Sequence, residues 1–152
     1  MGGPRAGERI ASLMKRYLLD SNVILRHLLA DIPEHSDAAG KVIAAASDKK
    51  YTLILTSLVT AECVFMLESF YKRSKPEIAR SMSFVLQQPG VESEEVEVLL
   101  AALKHYAMKN AQFADAYLLA RSASEDNTLL SFDAKMKTFP GASVVSPRMI
   151  IK

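Results

Sequence analysis

Residues 17–26 read Tyr-Leu-Leu-Asp-Ser-Asn-Val-Ile-Leu-Arg. The apolar run at residues 17–19 ends at Asp20 and predicts a short buried strand. Asn22 then opens a stretch whose apolar residues recur at helical spacing, so a helix follows the strand almost at once. An acidic residue therefore stands at the carboxyl end of the first strand, which is where open parallel sheets bind their ligands.

The rest of the chain repeats this alternation of apolar strands and longer helices. Further strands are predicted over residues 51–56, 128–131 and 142–145. Further helices are predicted over residues 34–47, from Ser57 to about 70, 76–88, from a Ser93 cap to about 107, and 112–124. Near-continuous apolar strands between helices are typical of a parallel sheet covered on both faces. The predicted fold is a three-layer α/β/α domain with a central, mostly parallel sheet.

Composition excludes several classes of protein. The 152 residues are 49% hydrophobic and 24% charged, which is ordinary for one folded domain. No run of about 18 uncharged apolar residues is present, so no transmembrane helix is predicted. The single cysteine, Cys63, excludes an internal disulfide framework and a multi-cysteine zinc site, and it favours a reducing, cytoplasmic setting.

The net charge of +2 comes from one end of the chain. Residues 1–16 carry four basic residues and one acidic residue, whereas the other 136 carry 15 basic and 16 acidic residues. We therefore predict a flexible basic extension over residues 1–16 and a single domain over residues 17–152. Met14 is an alternative start that would remove most of the extension.

Four acidic residues are predicted to meet at one edge of the sheet: Asp20, Glu62, Asp115 and Asp133. Asp20 or Asp133 taken singly has an ordinary alternative role as a helix cap or turn residue. Glu62 and Asp115 lie inside apolar helical runs, where an ionised carboxylate is costly unless it is paired. Clustered carboxylates repel, so either some are protonated or a cation lies between them. Oxygen ligands without Cys or His favour Mg²⁺ or Mn²⁺, and such sites commonly act on phosphate esters.

Four segments resemble, in order and spacing, the motifs of the PIN-domain family: LDSNVILR at 19–26, S-x₄-E at 57–62, FADA at 113–116 and LSFD at 130–133. Together they cover nearly the whole chain from residue 17 onward. The compact size and the helix pair after Ser57 are most similar to the VapC toxins of bacterial and archaeal toxin–antitoxin pairs.

The resemblance implies a metal-dependent endoribonuclease that leaves a 5′-phosphate and a 3′-hydroxyl. Asp20, Asp115 and Asp133 would hold Mg²⁺ or Mn²⁺, and Glu62 would complete the cluster directly or through water. Hydrogen-bonding partners of these acids would be Asn22, Ser131 and Ser57. The resemblance also implies a homodimer and a cognate antitoxin that blocks the acidic pocket with a basic side chain.

RNA must be attracted by positive charge near the acids. The candidate cations are Arg26, the turn residues Lys72, Arg73 and Lys75, and Lys135 and Lys137 after the fourth motif. A haloacid-dehalogenase-like phosphatase is disfavoured because Asn22 stands where that family has a second Asp. A receiver domain is disfavoured because its phospho-acceptor would follow the third strand. A non-enzymatic PIN-fold module that binds RNA or a protein remains the open alternative.

Overall fold

A computed structural model describes residues 14–151, except for the side chains of Ala134 and Lys137. The strands are β1 Arg16–Leu18, β2 Thr52–Ile54, β3 Val91–Glu92, β4 Leu129–Leu130 and β5 Val144–Val145. The helices are α1 Ser21–Leu29, α2 Pro33–Ser47, α3 Ser57–Ser69, α4 Lys75–Leu86, α5 Val96–Met108 and α6 Phe113–Glu125. Two short 3₁₀ helices cover Ala134–Lys137 and Pro147–Met149. No helix in residues 14–151 is long and apolar enough to cross a membrane.

Every paired strand in residues 14–151 runs parallel to its neighbour, which confirms the predicted α/β class. The strands form a three-stranded sheet in the order β1-β2-β3 and a two-stranded sheet of β4 and β5. The sequence predicted four strands in one sheet and missed β3. The chain divides into two compact units, one of Met1–Cys63 and Phe84–Glu94 and one of Val64–Ser83 and Glu95–Lys152.

The first unit holds the three-stranded sheet and the helix pair α1 and α2. Arg16 lies opposite Thr52 in the β1–β2 register, so the strand includes a residue that we had assigned to the N-terminal extension. Residues 1–13 of that predicted extension lie outside the described residues. Ile24 and Leu25 of α1 are fully buried, as the helical spacing after Asn22 predicted. Asp20 lies between β1 and α1, so these two elements fix its position in the chain.

β3 depends on one glycine that precedes it. Gly90 has a φ of +86°, and a Cβ placed there would lie 2.2 Å from the carbonyl oxygen of Ala46 in α2. The Gly90 carbonyl accepts a hydrogen bond of 2.8 Å from the Leu53 N–H of β2. Only glycine tolerates both the left-handed backbone and this close approach. At Gly90 the chain therefore lies against α2 and bonds to β2, and the next two residues pair as a third strand.

The second unit is built around the packing of α5 against α6. The buried face of α5 is formed by residues spaced three or four apart: Leu99, Leu103 and Tyr106. On α6, Leu119 is also buried. β4 follows α6 and pairs with β5, with Leu129 opposite Val144. This arrangement places the first turn of α6 and the segment after β4 in the same unit, and each of them carries one of the predicted acids.

The first N–H groups of α3 are capped by one neighbouring and one distant residue. The Thr56 hydroxyl accepts the Val59 N–H at 3.2 Å, and the Glu94 carboxylate accepts the Ser57 N–H at 3.0 Å. These acceptors satisfy two of the helix's free N–H groups. The hydrogen bond from Ser57 also lowers the pKa of Glu94. Glu94 was predicted to begin the helix after Ser93, but it caps a helix 37 residues earlier in the chain.

Candidate functional site

Asp20 lies between β1 and α1 in the first unit and is exposed. The Leu19 N–H before it donates to the Ile54 carbonyl at 2.9 Å, so pairing with β2 holds the chain up to this point. Asp20 occupies the N-cap position of α1, yet its side chain makes no capping hydrogen bond. The ordinary role as a capping side chain therefore does not explain this carboxylate. Asn22, predicted to assist it, is exposed in the first turn of the helix.

Glu62 lies in the same unit, on α3, and the structure corrects one premise about it. We expected an apolar run to bury this carboxylate, but Glu62 is exposed. The buried neighbour is Cys63, whose Sγ lies 4.0 Å from the Ser21 carbonyl oxygen. The pKa of Cys63 is raised to about 12, first by burial and then by the negative charges of Glu62 and Asp20. Both carboxylates thus act on one buried thiol, and for this reason we call Asp20 and Glu62 the first acidic pair.

Asp115 and Asp133 form the second pair, in the second unit. Asp115 is half-buried in the first turn of α6, and Asp133 is exposed at the start of the first 3₁₀ helix. Both line one cleft of about 270 Å³. The residues come from the third and fourth motifs, 18 positions apart, so the fold brings together two acids that the sequence predicted to be neighbours.

Ser131 shapes the loop that carries Asp133. The Ser131 Oγ accepts the Asp133 N–H at 3.0 Å and donates to the Met136 Sδ at 3.3 Å. The Asp133 Oδ1 in turn accepts the Lys135 N–H at 2.9 Å and caps the 3₁₀ helix. Ser131 therefore contacts the backbone of Asp133, whereas we had predicted a partner for the carboxylates themselves.

Two lysines also line this cleft, and only one of them was among the predicted cations. Lys135, one of our candidates, and Lys109, which we did not select, both line it. His105 lines it too; its pKa is lowered, first by burial and then by the nearby charge of Lys109. The signal for Lys109 is its place at the end of α5, a few residues before the helical turn that carries Asp115. Two carboxylates and two ammonium groups give the cleft mixed charge.

Three of the other predicted RNA-binding cations make contacts within the protein. One guanidinium nitrogen of Arg26 donates to both carboxylate oxygens of Asp31, at 2.9 and 3.0 Å. Lys75 donates to the Ala111 carbonyl at 2.7 Å and lies over the Tyr106 ring. The exposed Arg73 pairs with Glu77 at 3.5 Å, and Lys72 is exposed beside it. The contacts of Lys75 join the start of α4 to the loop before α6, so its role in this structure is to support the fold.

The donors in each pair suit a hard divalent cation. All four predicted ligands are carboxylates, which is the oxygen chemistry that Mg²⁺ and Mn²⁺ prefer. Within residues 14–151, no three His, Cys, Asp or Glu side chains are grouped closely enough to hold a metal ion. The geometry therefore supplies two acidic pairs, each within its own unit.

Comparisons with known proteins add the family context. The model of the PIN domain family matches residues 17–142, a range that contains all four acids. A search of curated proteins finds no match. Among solved structures, the chain is similar to the crystal structure of VapBC2 from Rickettsia felis bound to a DNA fragment from their promoter. That similarity has 17% identity and a TM-score of 0.37, and it covers 86% of this chain and 98% of the other.

Proposed function

The chain belongs to the PIN-domain family, as its four motifs predicted, and on this premise we propose that it is a Mg²⁺- or Mn²⁺-dependent endoribonuclease of the VapC toxin type. The fold of this family is the predicted three-layer α/β/α, and its members are generally nucleases. The observation that carries the proposal is the cleft lined by both Asp115 and Asp133. These are the acids of the third and fourth motifs.

The proposed site uses all four acids to bind the metal. Asp20, Asp115 and Asp133 would be ligands, and Glu62 would bind directly or through water. The bound cation would neutralise phosphate charge and activate water for hydrolysis of the phosphodiester. The chain's own residues prepare this role, because Ser131 fixes the backbone of Asp133 and the first turn of α6 carries Asp115. Lys135 and Lys109 would attract the RNA phosphates.

The proposal includes a second copy of the chain and a cognate antitoxin as protein partners, in a cytoplasmic setting that the single cysteine favours. Leu58 and Phe65, seven residues apart on one face of α3, are 80% and 59% exposed. These two exposed apolar side chains support the proposal of a protein partner. A strict monomer at micromolar concentration in size-exclusion chromatography would contradict the homodimer.

The test is cleavage of end-labelled tRNA and rRNA fragments by the wild type and by Asp115→Asn, in Mn²⁺ and in EDTA. Asp126→Asn is a matched control, because Asp126 is exposed at the other end of α6 with a φ of +54° that asparagine adopts readily. We expect discrete cuts from the wild type and the control, lost in EDTA and in Asp115→Asn. Cuts that survive EDTA would refute the metal-dependent mechanism. RNA binding without cuts would favour the non-enzymatic module.

A further inference from the structure

A second, apolar pocket adjoins the acidic cleft in the second unit. Its volume is about 300 Å³, and its walls include Met108, Phe139 and Pro140. The Phe139 ring lies against the His105 ring, with centroids 5.1 Å apart and planes tilted by 58°. The volume is at the small end of the range for sites that bind small molecules. The pocket can therefore take one flat ring system against an aromatic wall.

The two pockets share residues. His105 and Lys109 line the apolar pocket as well as the cleft of Asp115 and Asp133. A ligand that occupies both pockets would place an apolar group in the apolar pocket. It would place a phosphate, the group on which the proposed reaction acts, in the acidic cleft beside it. Each nucleotide of RNA joins a base to a phosphate in this way. Single-stranded bases are commonly bound by stacking on Phe and His side chains.

The charges around the apolar pocket fit the same ligand. Lys104, which is exposed, and Lys109 both line it, and they lie five residues apart on and just beyond α5. Neither of these lysines has an acidic partner among the salt bridges that the structure shows for residues 14–151. A phosphodiester chain leaving the acidic cleft would place its negative charge near them. A purely apolar segment of a protein would gain nothing from these charges.

We propose that the pocket of Met108, Phe139 and Pro140 binds the base of an unpaired RNA nucleotide next to the phosphate held in the acidic cleft. The inference rests on the proposed ribonuclease function and deepens it, because it assigns a base-binding subsite to that same site. Stacking on the ring of Phe139 tolerates any base, whereas contacts from His105 and Lys109 would select among bases. The enzyme would then require single-stranded RNA at the position that enters the pocket.

The test does not need catalysis. Methyl NMR on methionine-labelled wild-type protein is recorded without metal while AMP, GMP, CMP or UMP is added in the millimolar range. Ribose 5-phosphate, which lacks a base, is the ligand control. Met149, which is 76% exposed, is the control methyl for Met108, which is 69% exposed. We expect at least one nucleotide to shift the Met108 methyl and leave Met149 unchanged, whereas ribose 5-phosphate shifts neither.

A variant then tests the aromatic wall. Phe139→Leu keeps an apolar side chain and removes the ring, and we expect it to weaken nucleotide binding roughly tenfold. Its unfolding temperature should stay near that of the wild type, which verifies the fold. Equal shifts with ribose 5-phosphate, or no shift at Met108 with any nucleotide, would overturn the proposal. Because these readouts are independent of RNA cleavage, an inactive protein that binds nucleotides here would refute only the proposed reaction.

Discussion

Replacing Gly90 with alanine should destabilise the three-stranded sheet strongly. The new Cβ would lie 2.2 Å from the Ala46 carbonyl oxygen and 2.5 Å from its carbon, both backbone atoms of α2 that cannot rotate away. Alanine at the φ of +86° costs about 1–2 kcal/mol, and displacing the packed helix adds about 1–3 kcal/mol. The expected loss of about 2–5 kcal/mol is a large part of the 5–15 kcal/mol that is typical for a whole domain.

Gly141 provides a matched control for this experiment. It has nearly the same φ, +84°, but a Cβ there would meet only the Ala123 Cβ at an ordinary 3.5 Å. Gly141→Ala should therefore lose only the backbone part, about 1–2 kcal/mol. The assay is urea unfolding of both variants and the wild type, compared as free energies of unfolding. Equal losses from the two variants would refute the idea that close approach to α2 holds β3 in place.

Three further predictions follow from single side chains. Burial and adjacent carboxylates raise the pKa of Cys63 to about 12, so a thiol reagent such as DTNB at a pH of about 8 should modify the unfolded but not the native protein. Rapid modification of the native protein would contradict this prediction. Asp133→Ala removes the acceptor of the Lys135 N–H and should lower the free energy of unfolding in urea by about 0.5–2 kcal/mol. Asp133→Asn should lower it less, and equal losses from the two variants would argue against the cap. Burial lowers the folded-state pKa of His105, so the unfolded chain binds the proton more tightly and stability should fall as the pH drops below about 6.5. His105→Gln should flatten this dependence, and an unchanged dependence would contradict the reasoning.

The helices were largely predictable because their signals are local. The helix predicted over residues 34–47 and the apolar spacing in α5 and α6 depend on neighbouring residues, and the structure confirms these helices. β3 was missed because it has only two residues, and its pairing depends on space beside Ala46 that no local pattern reveals. The capping of α3 by Glu94 was missed for the same reason, since the partners are 37 residues apart.

The sequence indicated candidate acids but not their surroundings. It predicted that four acids meet at one edge of the sheet, and the structure places two of them, Asp115 and Asp133, in one cleft. Exposure is a tertiary property, so the apolar residues around Glu62 in the sequence gave a wrong expectation that it is buried. The same limit applies to Lys75, which the sequence places in a basic turn and the structure places against Ala111. Charge patterns in a sequence identify candidate cations, but only packing decides which of them remain accessible.

If acids from both pairs bind one divalent cation, as we propose, then removing one acid from either pair must weaken Mn²⁺ binding. Binding would be measured by electron paramagnetic resonance for the wild type, Asp20→Asn, Asp115→Asn and the control Asp126→Asn. We expect a site in the wild type and the control that is lost or greatly weakened in Asp20→Asn and in Asp115→Asn alike. A wild type that binds no Mn²⁺, or full affinity retained in either of these two variants, would contradict it.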